Sequence, residues 1–213
     1  MSVIFNNMDK MSFDDLGEES EFIPLMTSED EEALEKENLP EVLPILPLTN
    51  TVLFPGVVIP INAGRDKSIK LINDANKSNK LIGVVAQKDI KIENPSIENI
   101  FNIGTVAKIL RVLKMPDGNT TVIIQGKKRF KIKSVVKTDP YIQATINSIT
   151  DKNQKKSNSK FTATIDAIKD IALKIIKENP NIPSEASFAI KNIHSSAFLI
   201  NFVCSNMNIT VKD

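Results

Sequence analysis

The chain has one cysteine, one histidine and no tryptophan, and each shortage excludes something. Cys204 alone cannot form an intrachain disulfide, which fits a reducing compartment. His194 and Cys204 together fall short of the three or four ligands a zinc site needs, and a Cys–His dyad is disfavoured because both residues fall in segments that read as helix. The one Gly-Lys pair, Gly126-Lys127, is followed by Lys128 where a phosphate loop needs Ser or Thr, and Thr121 stands where its first glycine should be. Ser187 and Lys191 mimic a Ser–Lys dyad at helical spacing, but such pairs are commonplace and nothing nearby suggests an oxyanion hole. No residue set combines a nucleophile with its base, so the expectation is a chain without catalytic, cofactor or metal residues of its own. No run of about 18 unbroken apolar residues exists, which excludes a membrane-spanning helix. The opening Met1-Ser-Val-Ile-Phe-Asn-Asn lacks the basic start and long apolar segment of a secretory signal. The expected location is cytoplasmic. With aromatics few, Ile, Val and Leu must fill the core.

What is present is unevenly distributed. Residues 1–41 carry thirteen acidic residues and two basic ones, Lys10 and Lys36, and the rest carries twenty-five basic and thirteen acidic residues. Low hydrophobicity and charge of one sign make 1–41 read as a disordered acidic arm. Its apolar clusters, Ile4-Phe5, Phe22-Ile23 and Leu25-Met26, suit linear motifs, and the arm could also fold back on the basic body.

From Leu43 to Ile61 the chain is strongly apolar yet interrupted by Pro44, Pro47, Pro55 and Pro60. Helix is excluded at that proline density, leaving two short strands, Val42–Leu48 and Val57–Ile61, joined by a loop with Val52, Leu53 and Phe54. Asp66 is the expected N-cap of a helix running to about Ser78. Leu81–Gln87 reads as a buried strand and Lys88–Asn99 as a loop. A strand over 103–114, a hairpin turn at Asp117-Gly118 and a return strand over 120–126 follow. Residues 129–136 alternate, with Phe130, Ile132, Ser134 and Val136 on one face and the basic residues on the other. Tyr141–Ile149 alternates again. These elements predict an α+β protein: a small β-rich curved sheet or half-barrel with one inserted helix over 42–150. A polar linker over 151–160 and a helical subdomain over 161–213 come next. In the latter Phe161, Ile165, Ile168, Ala172 and Ile175 fall at helical spacing, Pro183 opens a second helix, and Ala197–Val203 forms a third apolar stretch. The last element lacks a clear stop, as if the chain continued.

Two surfaces qualify as binding candidates. Lys127, Arg129, Lys131 and Lys133 form a basic strand face suited to phosphates; the alternative is a solvated face. Leu53, Phe54, Met115 and Pro116 are apolar residues at loop tips; the alternative is that Leu53 and Phe54 plug the barrel end.

Several motifs in register resemble a known family. Leu43-Pro-Ile-Leu-Pro-Leu, Val52-Leu-Phe-Pro-Gly-Val-Val-Ile-Pro-Ile and Gly64-Arg-Asp-Lys-Ser-Ile resemble the start of the N-terminal domain of Lon, the ATP-dependent serine protease. Ile103-Gly-Thr-Val-Ala-Lys-Ile-Leu, Met115-Pro-Asp-Gly, Val122-Ile-Ile-Gln-Gly and Arg129-Phe follow in the family's order, and Ile182-Pro-Ser-Glu resembles the start of its helical extension. The resemblance implies a PUA-like β subdomain followed by helices. It further implies engagement of unfolded or damaged protein in quality control, help in assembling a homohexamer, and a full-length parent that uses ATP and magnesium. On that reading Leu53, Phe54, Met115 and Pro116 are the expected substrate contacts. The rival readings are a stand-alone adaptor with this domain and a module binding DNA through 127–133.

Overall fold

The prolines of the first apolar run keep it extended, and in the computed structural model it forms β1 (Val42–Leu48) and β2 (Val58–Ala63). The structure describes residues 39–114, 120–149, 159–180, 182, 185–207 and 211. The acidic arm up to residue 38, the hairpin tip at 115–119, most of the expected linker and Pro183 lie outside them. β1 divides its pairing. Val42–Pro44 run antiparallel to β6 (Gln143–Ser148), and Ile45–Leu48 run parallel to β3 (Leu81–Gln87). A strand that uses one neighbour at a time accommodates prolines that cannot donate.

β4 (Ile100–Lys114) and β5 (Thr120–Lys137) form the long antiparallel pair of the sheet. The order is β2-β5-β4-β3-β1-β6, and β6 pairs with β5 as well. The curved sheet therefore goes beyond a half-barrel: strands β5, β4, β3, β1 and β6 close on themselves. β5 makes this possible by its length. Its first half, to Gln125, pairs with β2, and its second half, from Phe130, pairs with β6. The expected strands over 120–126 and 129–136 are thus one strand, with an extra residue on β5 between the pairs Thr105–Arg129 and Ala107–Gly126.

Phe130 fills the barrel and is fully buried. Gly83 and Gly104 make room for it: a Cβ on Gly83 would lie 2.9 Å, and one on Gly104 3.0 Å, from the ring's Cζ. Leu43, Ile45, Val85, Val106 and Ile146 complete this inner core. A second core lies outside the barrel. Ile82 and Val84 of β3 and Leu46 and Leu48 of β1 point into it, opposite the inward Leu81 and Val85. Burial on both faces explains why Leu81–Ala86 is an unbroken apolar run.

Helix α1 (Asp66–Asn76) lays Leu71, Ile72 and Ala75 on the outer core. Its N-cap is Arg65, not Asp66, which is the first helical residue; the Asp carboxylate instead complements the positive helix end. Helices α2 (Ser159–Glu178), α3 (Glu185–Asn192) and α4 (Ser196–Asn206) supply Ile165, Ile190, Phe198, Leu199 and Phe202 to the same core. The helical subdomain therefore shares its core with the sheet. Ser195 caps α4, its hydroxyl accepting from the Phe198 amide at 3.0 Å.

Candidate functional site

The loop from Thr49 to Val57 is held at several points. The Gly56 amide donates to the Gly126 carbonyl and the Gly126 amide to the Val57 carbonyl, both at 2.9 Å. Gly126 has no side chain because a Cβ there would run into the Phe54 backbone. Thr105 Oγ1 donates to the Leu53 carbonyl at 2.7 Å, and Asn201 of α4 donates to the Pro55 carbonyl at 3.1 Å. Gly56 adopts φ 80°, the left-handed conformation glycine tolerates at no steric cost. These ties set the side chains' directions. Leu53 is 4 % exposed and belongs to the outer core, the position that the alternative reading of it as a plug expects. Phe54 is half-buried against the same core, while Val52 is 42 % exposed.

A second surface lies at the far end of the β4–β5 hairpin. β3 pairs with β4 only up to Lys108, so among the described residues 110–114 have a strand partner on the β5 side alone. A register shift between Ile109 and Arg111 turns Leu110 outward, 44 % exposed. Backbone amides and carbonyls on such an edge can accept another extended chain. The hairpin leads to Met115 and Pro116, which lie outside the described residues. Leu110 escaped the sequence reading because one bulged residue breaks the alternation on which that reading relies.

The basic row separates in space. Arg129, Lys131 and Lys133 are exposed on the second half of β5, whereas Lys127 is half-buried beside the bulge. Phe130, interleaved among them in sequence, points into the barrel. In register with Lys131 stand Ile103 on β4, 54 % exposed, and Asn147 on β6. Ile171 and Ile175 on α2 and Phe188 on α3 are further exposed apolar side chains that the sequence reading assigned to helix packing or passed over.

Arg65, Gln87 and Tyr141 make structural ties. Arg65 donates to Thr49 Oγ1 at 3.1 Å and to Gln87 Oε1 at 2.9 Å, and the buried Gln87 donates to the carbonyls of Asp89 and Ile92. The arginine of the Gly64-Arg65-Asp66 motif thus pins α1 to the ends of β1 and β3. Tyr141 donates to Asp74 at 3.1 Å, and burial together with that carboxylate raises its pKa. His194 lies exposed between α3 and α4 rather than in helix, and Cys204 is partly buried on α4. No group of three or more His, Cys, Asp or Glu side chains able to hold a metal occurs among the described residues, nor is any helix there long and apolar enough to cross a membrane.

A packed barrel thus shares its core with a helical subdomain, and among the described residues a strand edge and several apolar side chains are left outside. Residues 42–213 match the family model described as the ATP-dependent protease La (LON) substrate-binding domain, and the chain belongs to that family. The Lon protease of Flavobacterium johnsoniae is 61% identical over 206 residues, covering 97% of this chain and 25% of the relative. That of Cytophaga hutchinsonii is 50% identical over 193 residues, covering 91% and 24%. The chain thus spans about a quarter of the length of these relatives. The solved N-terminal domain of Mycobacterium avium complex Lon protease has the same fold. It superposes with a TM-score of 0.61 at 19% identity, covering 76% of this chain and 80% of that one.

Proposed function

We propose that this domain captures unfolded or damaged protein for a Lon-type, ATP-dependent serine endopeptidase in cytoplasmic quality control. ATP and magnesium serve the longer parent, and the domain helps it assemble as a homohexamer. The observation that carries the capture step is the unpaired edge of β4 at 110–114, with Leu110 exposed beside it and Met115-Pro116 directly following. An extended substrate adds to such an edge through main-chain hydrogen bonds, which tolerate many sequences. Exposed Val52 and half-buried Phe54 supply a second apolar patch on a loop fixed by Leu53. Six weak sites on one ring gain through effective concentration what each lacks alone.

The test is binding of a permanently unfolded model protein, followed by fluorescence anisotropy. Serine at Val52, Leu110 and Met115 together is expected to weaken binding about tenfold, or ~1.4 kcal/mol, while Leu53 and Phe54 keep the loop in place. Unchanged affinity in a folded triple variant would remove this site. The stand-alone adaptor reading predicts the same binding, and the mass of the natural gene product separates the two. A DNA-binding role for 127–133 is the weaker reading: Phe130 is sealed in the barrel, so the basic face has no aromatic on which a base could stack.

A further inference from the structure

We infer that the edge of β4 at 110–114 sorts unfolded chains by charge. It takes extended segments whose apolar residues alternate with Asp or Glu and turns away those that alternate with Lys or Arg. The inference rests on the capture role proposed for this edge and adds the class of substrate. The six strands of the sheet contain no acidic residue. Along the edge stand Lys80, Lys108, Arg111 and Lys114, all exposed. Lys80 marks the point where β3 parts from β4, since its carbonyl accepts from the Ile109 amide at 2.8 Å. Asp74, the acidic residue nearest to Lys80 in sequence, accepts a hydrogen bond from Tyr141. Asp117, nearest to Lys114, lies in the hairpin tip outside the described residues.

Register decides what a strand added here would meet. Lys108 and Arg111 pair with Gln125 and Ile123, which lie two apart on β5, so both stand on one face of the sheet. Leu113, opposite Thr121, shares that face. Lys114 and Val112 stand on the other face, which is the face of Val122 and the outer core. Val112 and Leu113 are half-buried. Each face of the edge therefore offers an apolar side chain next to a cation. Main-chain hydrogen bonds along an edge are the same for every guest sequence, so selectivity falls to the side chains. Opposite charges on neighbouring strands attract and like charges repel. The same charges disfavour a second copy, whose edge would bring Lys108, Arg111 and Lys114 against their own kind. Nucleic acid fits less well than a peptide, because phosphates accept hydrogen bonds and supply no donors to the edge carbonyls.

The experiment follows labelled peptides of about eight residues, an ordinary strand length, by fluorescence anisotropy on the 213-residue chain. The peptides share their apolar residues and carry Glu, Gln or Lys at the alternate positions. The Glu peptide is expected to bind about tenfold more tightly than the Lys peptide, with the Gln peptide between them. The ratio should fall below about threefold at high salt, and equally in a folded variant with Lys108→Gln, Arg111→Gln and Lys114→Gln. Equal affinity for all the peptides, or an unchanged ratio in the variant, would overturn the inference. So would tighter binding of every peptide by the variant, which would make these cations a block on the edge. Displacement of the Glu peptide by duplex DNA at physiological salt would overturn it in favour of a phosphate site. The capture role is checked apart from charge by a Gln peptide N-methylated on alternate backbone amides. Undiminished binding of that peptide would remove edge addition, and failure of every peptide to bind would overturn both readings.

Discussion

The molecule has two cores made in different ways. The inner one is enclosed by a single ladder of strands around Phe130, and the two glycines facing that ring fix its shape. The outer one joins elements far apart in sequence: Leu46 and Leu48 of β1, Ile72 of α1 and Phe198, Leu199 and Phe202 of α4. Backbone hydrogen bonds surround the first on every side, so it has little freedom to rearrange. The second has helices on one side, and helices can slide by fractions of an ångström to fill a gap. The contrast assigns the two cores different tasks. The barrel sets the geometry of the strand edge and the hairpin, while the helix-backed core attaches the 49–57 loop and the helical subdomain to it.

The contrast breaks most visibly at the aromatic residues. Phe130→Ala is expected to cost about 3–5 kcal/mol, near the upper limit for such a change, because Gly83 and Gly104 have no side chains to move into the cavity. Phe198→Ala, in the pair with Phe202 whose centroids lie 6.0 Å apart, should cost at least about 1 kcal/mol less, because α4 can close on the space. Denaturant unfolding of both variants measures the difference. Equal losses would show that the outer core is as rigid as the barrel. Gly126→Ala comes next, at about 2–3 kcal/mol, since the Phe54 carbonyl must retreat and with it the pair of bonds that fastens the loop to β5. A loss under about 0.5 kcal/mol would mean that the loop is free to move. Ser195→Ala removes the cap of α4 and should cost about 1 kcal/mol; circular dichroism melting reads it, and no shift in midpoint would show that packing of Phe198 holds the helix start without it.

The inner core was the more legible of the two in the sequence. Alternation marked Phe130 and Ile132 as inward, and the prolines at 44, 47 and 60 ruled out helix where β1 and β2 lie. Closure of the ladder was hidden because it depends on β5 continuing through Lys127-Lys128, where a bulge looks like a break between two strands. The outer core could be read only in part: Ile165 and Ile168 showed their helical period, but nothing local told that they would join the core that Leu46 enters. The surfaces were the least legible. Leu53 looked like an apolar loop tip, and its burial depends on bonds from Thr105 and Gly126, more than fifty residues away. Leu110 became an edge residue only through the bulge beside it.

The smallest effect probes the seam where the two constructions meet. Tyr141, at the start of the turn into β6, packs on the outer core and donates to Asp74 of α1. Burial disfavours its phenolate most, the hydrogen bond and negative charge of Asp74 add to this, and Gln143 acts in the opposite direction. Its pKa therefore lies above the ordinary value of about 10. The folded state holds the proton more tightly than the unfolded chain, so the resulting stability is fully present below pH ~10 and is lost as pH rises through the folded pKa. With one tyrosine and no tryptophan, the 295-nm absorbance reports this group alone. Its midpoint should lie above 10 in the native chain and fall in Asp74→Asn, without reaching the unfolded value because burial remains. A native midpoint at 10, or one unmoved by Asp74→Asn, would mean that α1 and the β5–β6 turn are not held together as the Tyr141–Asp74 bond requires.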